Sequence, residues 1–410
     1  MTDYCRFCNE PLKHVFLDLG KSPLANSFLK KEMLNKSEQF FPLCVYVCDK
    51  CFLVQLPEYE NPENIFGDYA YFSSYSDTWL KHAENYVNGM LNRFSFDKNN
   101  LVVEIASNDG YLLQYFKKKE IPILGIEPAS NVAKVAKQKG IPTLVKFFGT
   151  ETAKELVKEG RLADLIIGNN VLAHVPNLND FVNGLKILLK ETGIITLEFP
   201  HLMKLIQHNQ FDTIYQEHFS YFSLLTVERI FSSHGLKIFD VEEIPTHGGS
   251  LRIYIKHIKN DLISTDESVQ DLLKRENQFG LDNLLTYTNF VSKVQKIKEI
   301  IREFFMSAKN DGKAVVCYGA AAKGNTLLNY CGIGIDFIDY IVDRSTFKQG
   351  LFLPGTHIPI KEPNEVRKTK PDYLVILPWN LKEEIMEQMS YIRDWGGKFV
   401  VLISEVKIFS

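Results

Sequence analysis

From about Leu101 onward, the chain alternates short apolar runs with segments whose apolar residues recur at helical spacing. The apolar runs predict strands at 101–106, 123–127, 163–169 and 193–199. The segments between them predict helices at about 109–119, 132–139 and 180–189. Buried strands that alternate with helices of about ten residues are typical of a parallel, doubly wound sheet. This part of the chain is therefore predicted to form an α/β domain.

A mostly polar stretch follows, and then the α/β pattern starts again. Between residues 266 and 309 the clearest apolar stripe at helical spacing is Phe290, Val294, Ile297, Ile301 and Phe304. This stripe predicts a helical connector, broken near Gly280, that packs against a neighbouring domain. Beyond the connector, apolar runs predict further strands at 314–319, 337–343, 372–378 and 398–404.

The beginning of the chain has only short apolar runs, and it holds five of the seven cysteines. We expect a small module there with little hydrophobic core of its own. The full chain is predicted to contain a small module at 1–70, an α/β domain at 71–265, a helical connector at 266–310 and a second α/β domain at 311–410.

Four of these cysteines form two C-x2-C knuckles, Cys5 with Cys8 and Cys48 with Cys51. Each knuckle can direct two thiolates at one point, so two knuckles supply the four ligands of a closed structural zinc site. Cys44 lies outside both knuckles. Unrelated buried cysteines are the alternative, but the paired spacing in a module with little core favours zinc.

Composition and charge exclude several classes of protein. The 410 residues include 47 basic and 50 acidic side chains, a net charge of -3, so no global positive field is present to bind nucleic acid. No apolar run approaches the ~18 residues of a membrane helix, and the first residues lack the pattern of a secretory signal. We therefore expect a cytoplasmic protein that has neither a membrane nor a nucleic-acid partner.

The first turn of the α/β domain, after the strand at 101–106, carries candidate cofactor ligands. These are Glu104, Asn108, Asp109 and Gly110, with Glu127 at the end of the next strand. The glycine signature for a dinucleotide is absent, and a carboxylate at Glu127 can accept both hydroxyls of a ribose. The acidic side chains of Glu104 and Asp109 favour a ligand with a positive charge. A ligand that carries a ribose and a positive charge but no phosphate suggests S-adenosylmethionine. An ordinary turn with helix-capping residues is the alternative.

Further polar residues are predicted to lie at the same edge of the sheet. Asn169 and Asn170 end the strand at 163–169, and His174 after them is either structural or a ligand. After the strand at 193–199, the close spacing of Tyr215, Glu217 and His218 suits proton transfer, although a polar turn is the alternative.

Two flanking segments leave their roles open. The aromatic stretch at 68–75 is either a lid over the crevice or an interdomain packing surface. His247 and the two glycines after it indicate either a close backbone approach to a ligand or a hairpin bend.

The second α/β domain has a strand, a loop and then a helix around Lys323 and Asn325. The helix N-terminus and Lys323 could hold a phosphate, although the spacing is not that of a Walker loop and an ordinary turn is the alternative. The residues Asp343, Lys348, Trp379 and Asn380 follow later strands and could line the same crevice, with a structural role as the alternative for each.

The order of these motifs resembles that of the three-domain, S-adenosylmethionine-dependent sugar C-methyltransferases, notably the sugar 3-C-methyltransferases. The resemblance rests on the two cysteine knuckles, on EIASNDG at 104–110, on YQEHFSYFS at 215–223 with HGGSLR at 247–252, and on YGAAAKGNTLLNYCGI at 318–333. One departure is Ala106, where the family often has glycine.

The resemblance implies a zinc-binding N-terminal domain, a central Rossmann-like methyltransferase domain and a Rossmann-like C-terminal domain that contributes to substrate binding. It implies a nucleotide-linked 4-keto-deoxysugar as substrate, usually dTDP-linked. By motif position it makes His218 the catalytic base, Tyr215 and Glu217 its active-site neighbours, and Tyr71 a further substrate-contacting residue. Three alternatives remain: an NAD(P)-dependent nucleotide-sugar oxidoreductase, a non-catalytic scaffold and an RNA-modifying methyltransferase.

Overall fold

The N-terminal module is built on a small antiparallel sheet, and the computed structural model describes residues 3–61, 63 and 72–410 of the chain. The sheet contains β1 (His14–Ser22), β2 (Phe41–Val47) and β3 (Val54–Gln55). A two-residue strand from the next domain, Ser220–Tyr221, adds to its edge by pairing with β3. The antiparallel pairing of β1 with β2 lies between the two cysteine knuckles and brings them together.

The central domain is a seven-stranded sheet covered by helices on both faces. Its strands are β4 (Val102–Ile105), β5 (Ile123–Ile126), β6 (Thr143–Leu144), β7 (Ala163–Asn169), β8 (Leu189–Pro200), β10 (Leu236–Ile244) and β11 (Ser250–His257), with Ser220–Tyr221 as β9 of the first sheet. The order is β10-β11-β8-β7-β4-β5-β6, and β11 runs antiparallel to both of its neighbours. The helices are α1 (Asp77–Phe94), α2 (Leu113–Lys117), α3 (Ser130–Gln138), α4 (Thr150–Lys158), α5 (Leu178–Leu188), α6 (Leu202–Gln207) and α7 (Leu224–Ser233).

The helix predicted from residue 109 begins four residues later than expected. Ala106, Asn108 and Gly110 have φ values of 55°, 49° and 77°, and no right-handed helix can run through such a backbone. The chain instead makes a tight turn after β4 and enters α2 only at Leu113. Within this turn the backbone N–H groups of Asn108 and Asp109 donate to the side chains of Glu127 and Asn108, each at 2.9 Å.

The connector consists of α8 (Glu267–Phe279), α9 (Leu284–Thr288) and α10 (Phe290–Asn310), and Gly280 ends α8 with a φ of 92°. The predicted stripe on α10 is buried except at its last position, where Phe305 replaces Phe304. Phe290 stacks on Phe16 of β1 at 5.1 Å between ring centroids, so the stripe packs against the N-terminal module.

The C-terminal domain is a six-stranded sheet of Rossmann-like topology. Its strands are β12 (Val315–Tyr318), β13 (Ile341–Val342), β14 (Ile360–Lys361), β15 (Tyr373–Ile376), β16 (Lys398–Val401) and β17 (Lys407–Phe409), in the order β14-β13-β12-β15-β16-β17. All pairs are parallel except that of β16 with β17. Its helices are α11 (Ala322–Cys331), α12 (Glu365–Thr369) and α13 (Lys382–Gln388). Among the described residues, no helix combines the length and apolarity needed to cross a membrane.

Candidate active site and metal site

The four knuckle cysteines converge on one point. The sulfur atoms of Cys5, Cys8, Cys48 and Cys51 all lie within 4.8 Å of one another. Two of the sulfur pairs, Cys5 with Cys51 and Cys8 with Cys48, are each separated by 3.5 Å. Four thiolates at this spacing fit the tetrahedral shell of zinc and leave no position open for a substrate, so the zinc site is structural. Cys44 lies on β2, outside the cluster, as expected.

Hydrogen bonds tie the zinc knuckle to the methyltransferase domain. The Gln55 amide nitrogen donates to the Cys5 sulfur at 3.2 Å, and the Gln55 oxygen accepts the backbone N–H of Arg6 at 2.9 Å. From α5, the Asn179 amide donates to the backbone oxygen of Phe7 at 2.9 Å. The first zinc knuckle therefore has a hydrogen bond to one of its ligand sulfurs, from Gln55, and a contact with the methyltransferase domain, from Asn179.

A cavity of about 980 Å³ lies where the three domains meet. Ten of the predicted site residues line it: Asn108, Glu127, Asn169, Asn170, Tyr215, Glu217, His218, His247, Lys323 and Lys348. Seven others lie outside its lining: Glu104, Asp109, Gly110, Asn325, Asp343, Trp379 and Asn380. Tyr71 lies outside the residues that the structure describes.

The carboxyl ends of β4, β5 and β7 form one wall of the cavity. The Glu127 carboxylate accepts the backbone N–H groups of Asn108 and Ala129, each at 2.9 Å and each on a different oxygen. Burial raises the pKa of Glu127, and the two hydrogen bonds offset part of that rise. Each oxygen retains acceptor capacity for a ligand hydroxyl. The Asn169 amide is 8% exposed, and both its polar atoms lack a hydrogen-bond partner among the described residues, as a polar ligand at this wall would require.

The other predicted residues of the 104–110 turn, Glu104, Asp109 and Gly110, lie outside the lining of the cavity. Burial raises the pKa of Glu104 well above its ordinary value, and both of its carboxylate oxygens lack a hydrogen-bond partner among the described residues. Asp109 forms an ion pair with Lys139 at 2.9 Å. A Cβ on Gly110 would lie 2.8 Å from Ile141 in addition to its positive φ. Asn108 and Glu127 therefore line the cavity, whereas the cofactor roles of Glu104, Asp109 and Gly110 stay predictions.

His218 lies at the floor of the cavity in a fixed tautomer. Its Nδ1 is 2.8 Å from the backbone oxygen of Thr213. Because a carbonyl only accepts, Nδ1 carries the proton and Nε2 carries the lone pair. Burial, reinforced by His174, lowers the pKa of His218 well below its ordinary value, so the ring is neutral near pH 7. The Tyr215 ring lies 4.0 Å from the His218 ring, measured between centroids.

Glu217 is 4% exposed and lines the same cavity. Its carboxylate accepts a hydrogen bond from the Asn26 amide at 2.7 Å, and its backbone oxygen accepts one from Nδ1 of His174 at 2.8 Å. Burial raises the pKa of Glu217 to about 7, opposed by Asn26 and by the charge of Lys348. The site therefore combines a neutral imidazole with a carboxyl group that titrates close to neutral pH.

The glycines after His247 form the bend of the β10–β11 hairpin. Gly248 and Gly249 have φ values of 88° and 116°. A Cβ on Gly248 would lie 2.3 Å from the Trp379 ring, so the close approach that the glycine permits is to Trp379. His247 lines the cavity, and its Nε2 lies 3.3 Å from the Asn170 amide nitrogen.

Two lysines bring positive charge to the C-terminal wall. Lys323, in the first turn of α11, donates to the Asn380 side chain at 2.7 Å and lies 4.5 Å from the centroid of the Trp379 ring. Lys348 donates to the backbone oxygen of Ala320 at 2.8 Å. These contacts leave donor capacity on both ammonium groups.

The other predicted residues of this wall have structural partners. Trp379 donates from Nε1 to Asp212 at 2.7 Å. Asp343 accepts the backbone N–H groups of Ala320 and Ser345, each at 2.8 Å. Asn325 is fully buried and accepts from Asn329 at 3.2 Å.

Sequence reasoning missed Asn26 and Trp79, which both line the cavity. Asn26 comes from the N-terminal module, and Trp79 lies in the first turn of α1, stacked on Tyr111 at 6.0 Å. No local motif surrounds either residue, because each reaches the site only through tertiary structure.

Comparisons with known proteins agree with this architecture. Residues 5–66, 79–241 and 245–404 match the family models described as "Putative zinc binding domain", "Methyltransferase domain" and "C-methyltransferase C-terminal domain". Over 408 residues the chain is 35% identical to the C-methyltransferase NovU of Streptomyces niveus, a match that covers 100% of this chain and 97% of the relative.

Solved structures resemble about half of the chain. The PH0226 protein from Pyrococcus horikoshii OT3 is 14% identical with a TM-score of 0.37, covering 48% of this chain and 99% of its own. Magnesium protoporphyrin IX methyltransferase (ChlM) from Synechocystis PCC 6803 is 15% identical with a TM-score of 0.35, covering 47% and 91%. Together, the three domain matches and the full-length relative show that this chain belongs to the S-adenosylmethionine-dependent C-methyltransferase family that includes NovU.

Proposed function

We propose that this enzyme methylates C3 of a nucleotide-linked 4-keto-deoxysugar through an enolate, with His218 as the base. The observation that carries the proposal is the geometry of His218. The carbonyl of Thr213 fixes the proton on Nδ1, and the ring lines the cavity between the cofactor wall and the C-terminal lysines. Membership in a C-methyltransferase family favours this function over the oxidoreductase and scaffold alternatives.

The proposed chemistry needs a base and a donor to an oxyanion. A ketone at C4 acidifies the hydrogen on C3, and Nε2 of His218 removes it. Tyr215 beside His218, and Tyr71 by its place in the sequence, are the proposed hydroxyl donors to the C4 oxygen. Bound S-adenosylmethionine supplies the electrophilic methyl group that C3 attacks. Glu127, Asn108, Asn169 and Asn170 would hold that cofactor against the carboxyl edge of the sheet.

The C-terminal wall is suited to the nucleotide part of the substrate. Lys323, Lys348 and the N-terminus of α11 face the cavity with positive charge, which favours a diphosphate. Burial lowers the pKa of Lys323, opposed by Asp212, and an anionic ligand would favour its charged form further. In this arrangement Asn325, Asp343 and Trp379 support the wall, and a dTDP sugar is the proposed substrate.

The test is to incubate the enzyme with S-adenosylmethionine and a panel of nucleotide 4-keto-sugars, with detection by mass spectrometry. We expect a mass gain of one methylene on a 4-keto sugar, located at C3 by NMR. Exchange of deuterium into C3 in the absence of methyl transfer would show that the enzyme forms the enolate. Methylation of a sugar that lacks the ketone would contradict the proposal.

A further inference from the structure

A loop of the zinc module reaches the catalytic cavity. Leu24, Asn26, Ser27 and Phe28, which follow β1, all line the cavity. The loop is fixed at both ends. Gln216 donates to the backbone oxygen of Ser22 at 3.2 Å, and Leu29 exchanges two backbone hydrogen bonds of 2.9 Å with Phe352 of the C-terminal domain. The loop therefore contacts both other domains at the edge of the active site.

Within this loop, Asn26 contacts a residue of the catalytic cluster. Its amide nitrogen donates to an oxygen of Glu217 at 2.7 Å, and that carboxylate is 4% exposed. An amide that donates to a buried carboxylate holds it in one orientation and stabilises its ionised form more than its acid form.

Of the other described groups near Glu217, Lys348 opposes the effect of burial on its pKa, and the two histidines are neutral near pH 7. Lys348 of the C-terminal domain favours the ionised carboxylate by its charge. His174 lies against the backbone of Glu217, and burial lowers its pKa to about 4. His218 is also neutral near pH 7, for the same reason. Among the residues that the structure describes, Asn26 and Lys348 are thus the two neighbours that oppose the effect of burial on the pKa of this carboxyl group.

We infer that Asn26 is a positioning residue through which the zinc module holds the Glu217 carboxylate in its catalytic orientation and ionised form. The inference rests on the proposed function, because the role of Glu217 in catalysis is itself part of that proposal. Under this inference the N-terminal module, besides binding zinc, contributes a residue that acts on the reaction through Glu217.

The test compares the pH dependence of kcat/KM in the wild type and in the variant Asn26→Leu, which keeps the side-chain volume and loses the donor. Loss of the donor raises the pKa of Glu217, so the limb that reports it moves to higher pH by about one to two units. The shift is towards higher pH whether turnover needs the ionised or the protonated form of Glu217, because the acidic limb in the first case and the basic limb in the second both follow the pKa of this group. Asn26→Asp adds a like charge and should move the limb in the same direction.

Two controls separate positioning from structural damage. In Glu217→Gln the limb should be absent, and adding Asn26→Leu to that variant should produce no further shift. Lys30→Ala, at an exposed position directly after this loop, should leave the limb in place. Zinc content and the unfolding temperature of Asn26→Leu should match the wild type.

An unmoved limb in a correctly folded Asn26→Leu variant, or a uniform loss of activity with no shift, would overturn the inference. Infrared difference titration of the wild type against Glu217→Gln measures the same carboxyl group without turnover. If no 4-keto sugar is methylated, the proposed function fails, while the infrared shift still decides whether Asn26 controls Glu217.

Discussion

The zinc site and the proposed catalytic cluster are built in opposite ways. All four zinc ligands come from two short knuckles of one module, and the pairing of β1 with β2 lies between those knuckles. The catalytic cluster takes His218 and Glu217 from the central domain, Asn26 from the zinc module and Lys348 from the C-terminal domain. Local spacing therefore specifies the first site, whereas the second exists only when three domains pack correctly.

The strongest test of this comparison is Cys48→Ser. We expect it to abolish the binding of one zinc ion per chain and to unfold the N-terminal module, because structural zinc contributes on the order of 10 kcal/mol to folding in small metal domains. Because β3 pairs with Ser220–Tyr221 and Asn26 contacts Glu217, activity should be lost with the zinc. Elemental analysis and thermal unfolding measure the two effects.

Cys44→Ser is the matched control, since Cys44 lies outside the cluster. It should retain zinc and lose little stability. Full zinc content in Cys48→Ser would mean that the metal is held by another set of ligands.

The next largest effect is expected for His218→Ala. Turnover should fall by roughly 10²–10⁴-fold, the usual contribution of a general base. Binding of cofactor and substrate should change far less, because the residue acts mainly in the transition state. Deuterium exchange at C3 should disappear together with methyl transfer.

The pH dependence of the wild type sharpens this prediction. Because burial lowers the pKa of His218 well below its ordinary value, the proposed base is already neutral near pH 7. A change in the rate of deuterium exchange near pH 7 would therefore report the titration of another group, such as Glu217 with its pKa of about 7. Near-normal turnover in His218→Ala would point to Tyr215 as the base.

The zinc ligands and most of the sheet could be predicted from the sequence because both depend on short-range patterns. Apolar runs identified β4, β5 and β7 within one or two residues of their observed ends. The helix start at 109 was wrong, because three residues between 106 and 110 have positive φ values that no apolar pattern encodes. On α10, Phe305 rather than Phe304 is buried, and the partly buried Phe304 packs edge-on to Tyr373 with 5.4 Å between ring centroids.

The catalytic cluster could be predicted only in part, because its partners are distant in the sequence. The spacing of Tyr215, Glu217 and His218 drew attention to that segment. Their partner Asn26 is 191 positions from Glu217, and the carbonyl of Thr213 carries no side-chain signal. Trp379 was predicted to line the crevice, but its indole N–H is bonded to Asp212.

A smaller effect is expected at Glu127, where the cofactor prediction depends on one local strand end. Glu127→Ala should weaken the binding of S-adenosylmethionine by roughly 1.5–3 kcal/mol, the cost of losing hydrogen bonds to a charged group. Binding of the nucleotide sugar should be nearly unchanged. Calorimetry with each ligand measures both effects, and Glu151→Ala, an exposed carboxylate on α4, is the control. Equal losses for the two ligands would indicate a general disruption of the turn.

The smallest effect is expected at Ala106, where the local sequence opposes the local backbone. Ala106 has a φ of 55°, and a left-handed conformation costs an L-residue roughly 1–2 kcal/mol relative to glycine. Glycine adds about 0.4–1 kcal/mol of unfolded-state entropy, which offsets part of that gain. Ala106→Gly should therefore stabilise the protein by up to about 1 kcal/mol, measured by urea unfolding. Ala129→Gly makes the same chemical change at a φ of −75° and should destabilise instead. Destabilisation by both substitutions would mean that the Ala106 methyl group contributes more to packing than its backbone strain costs.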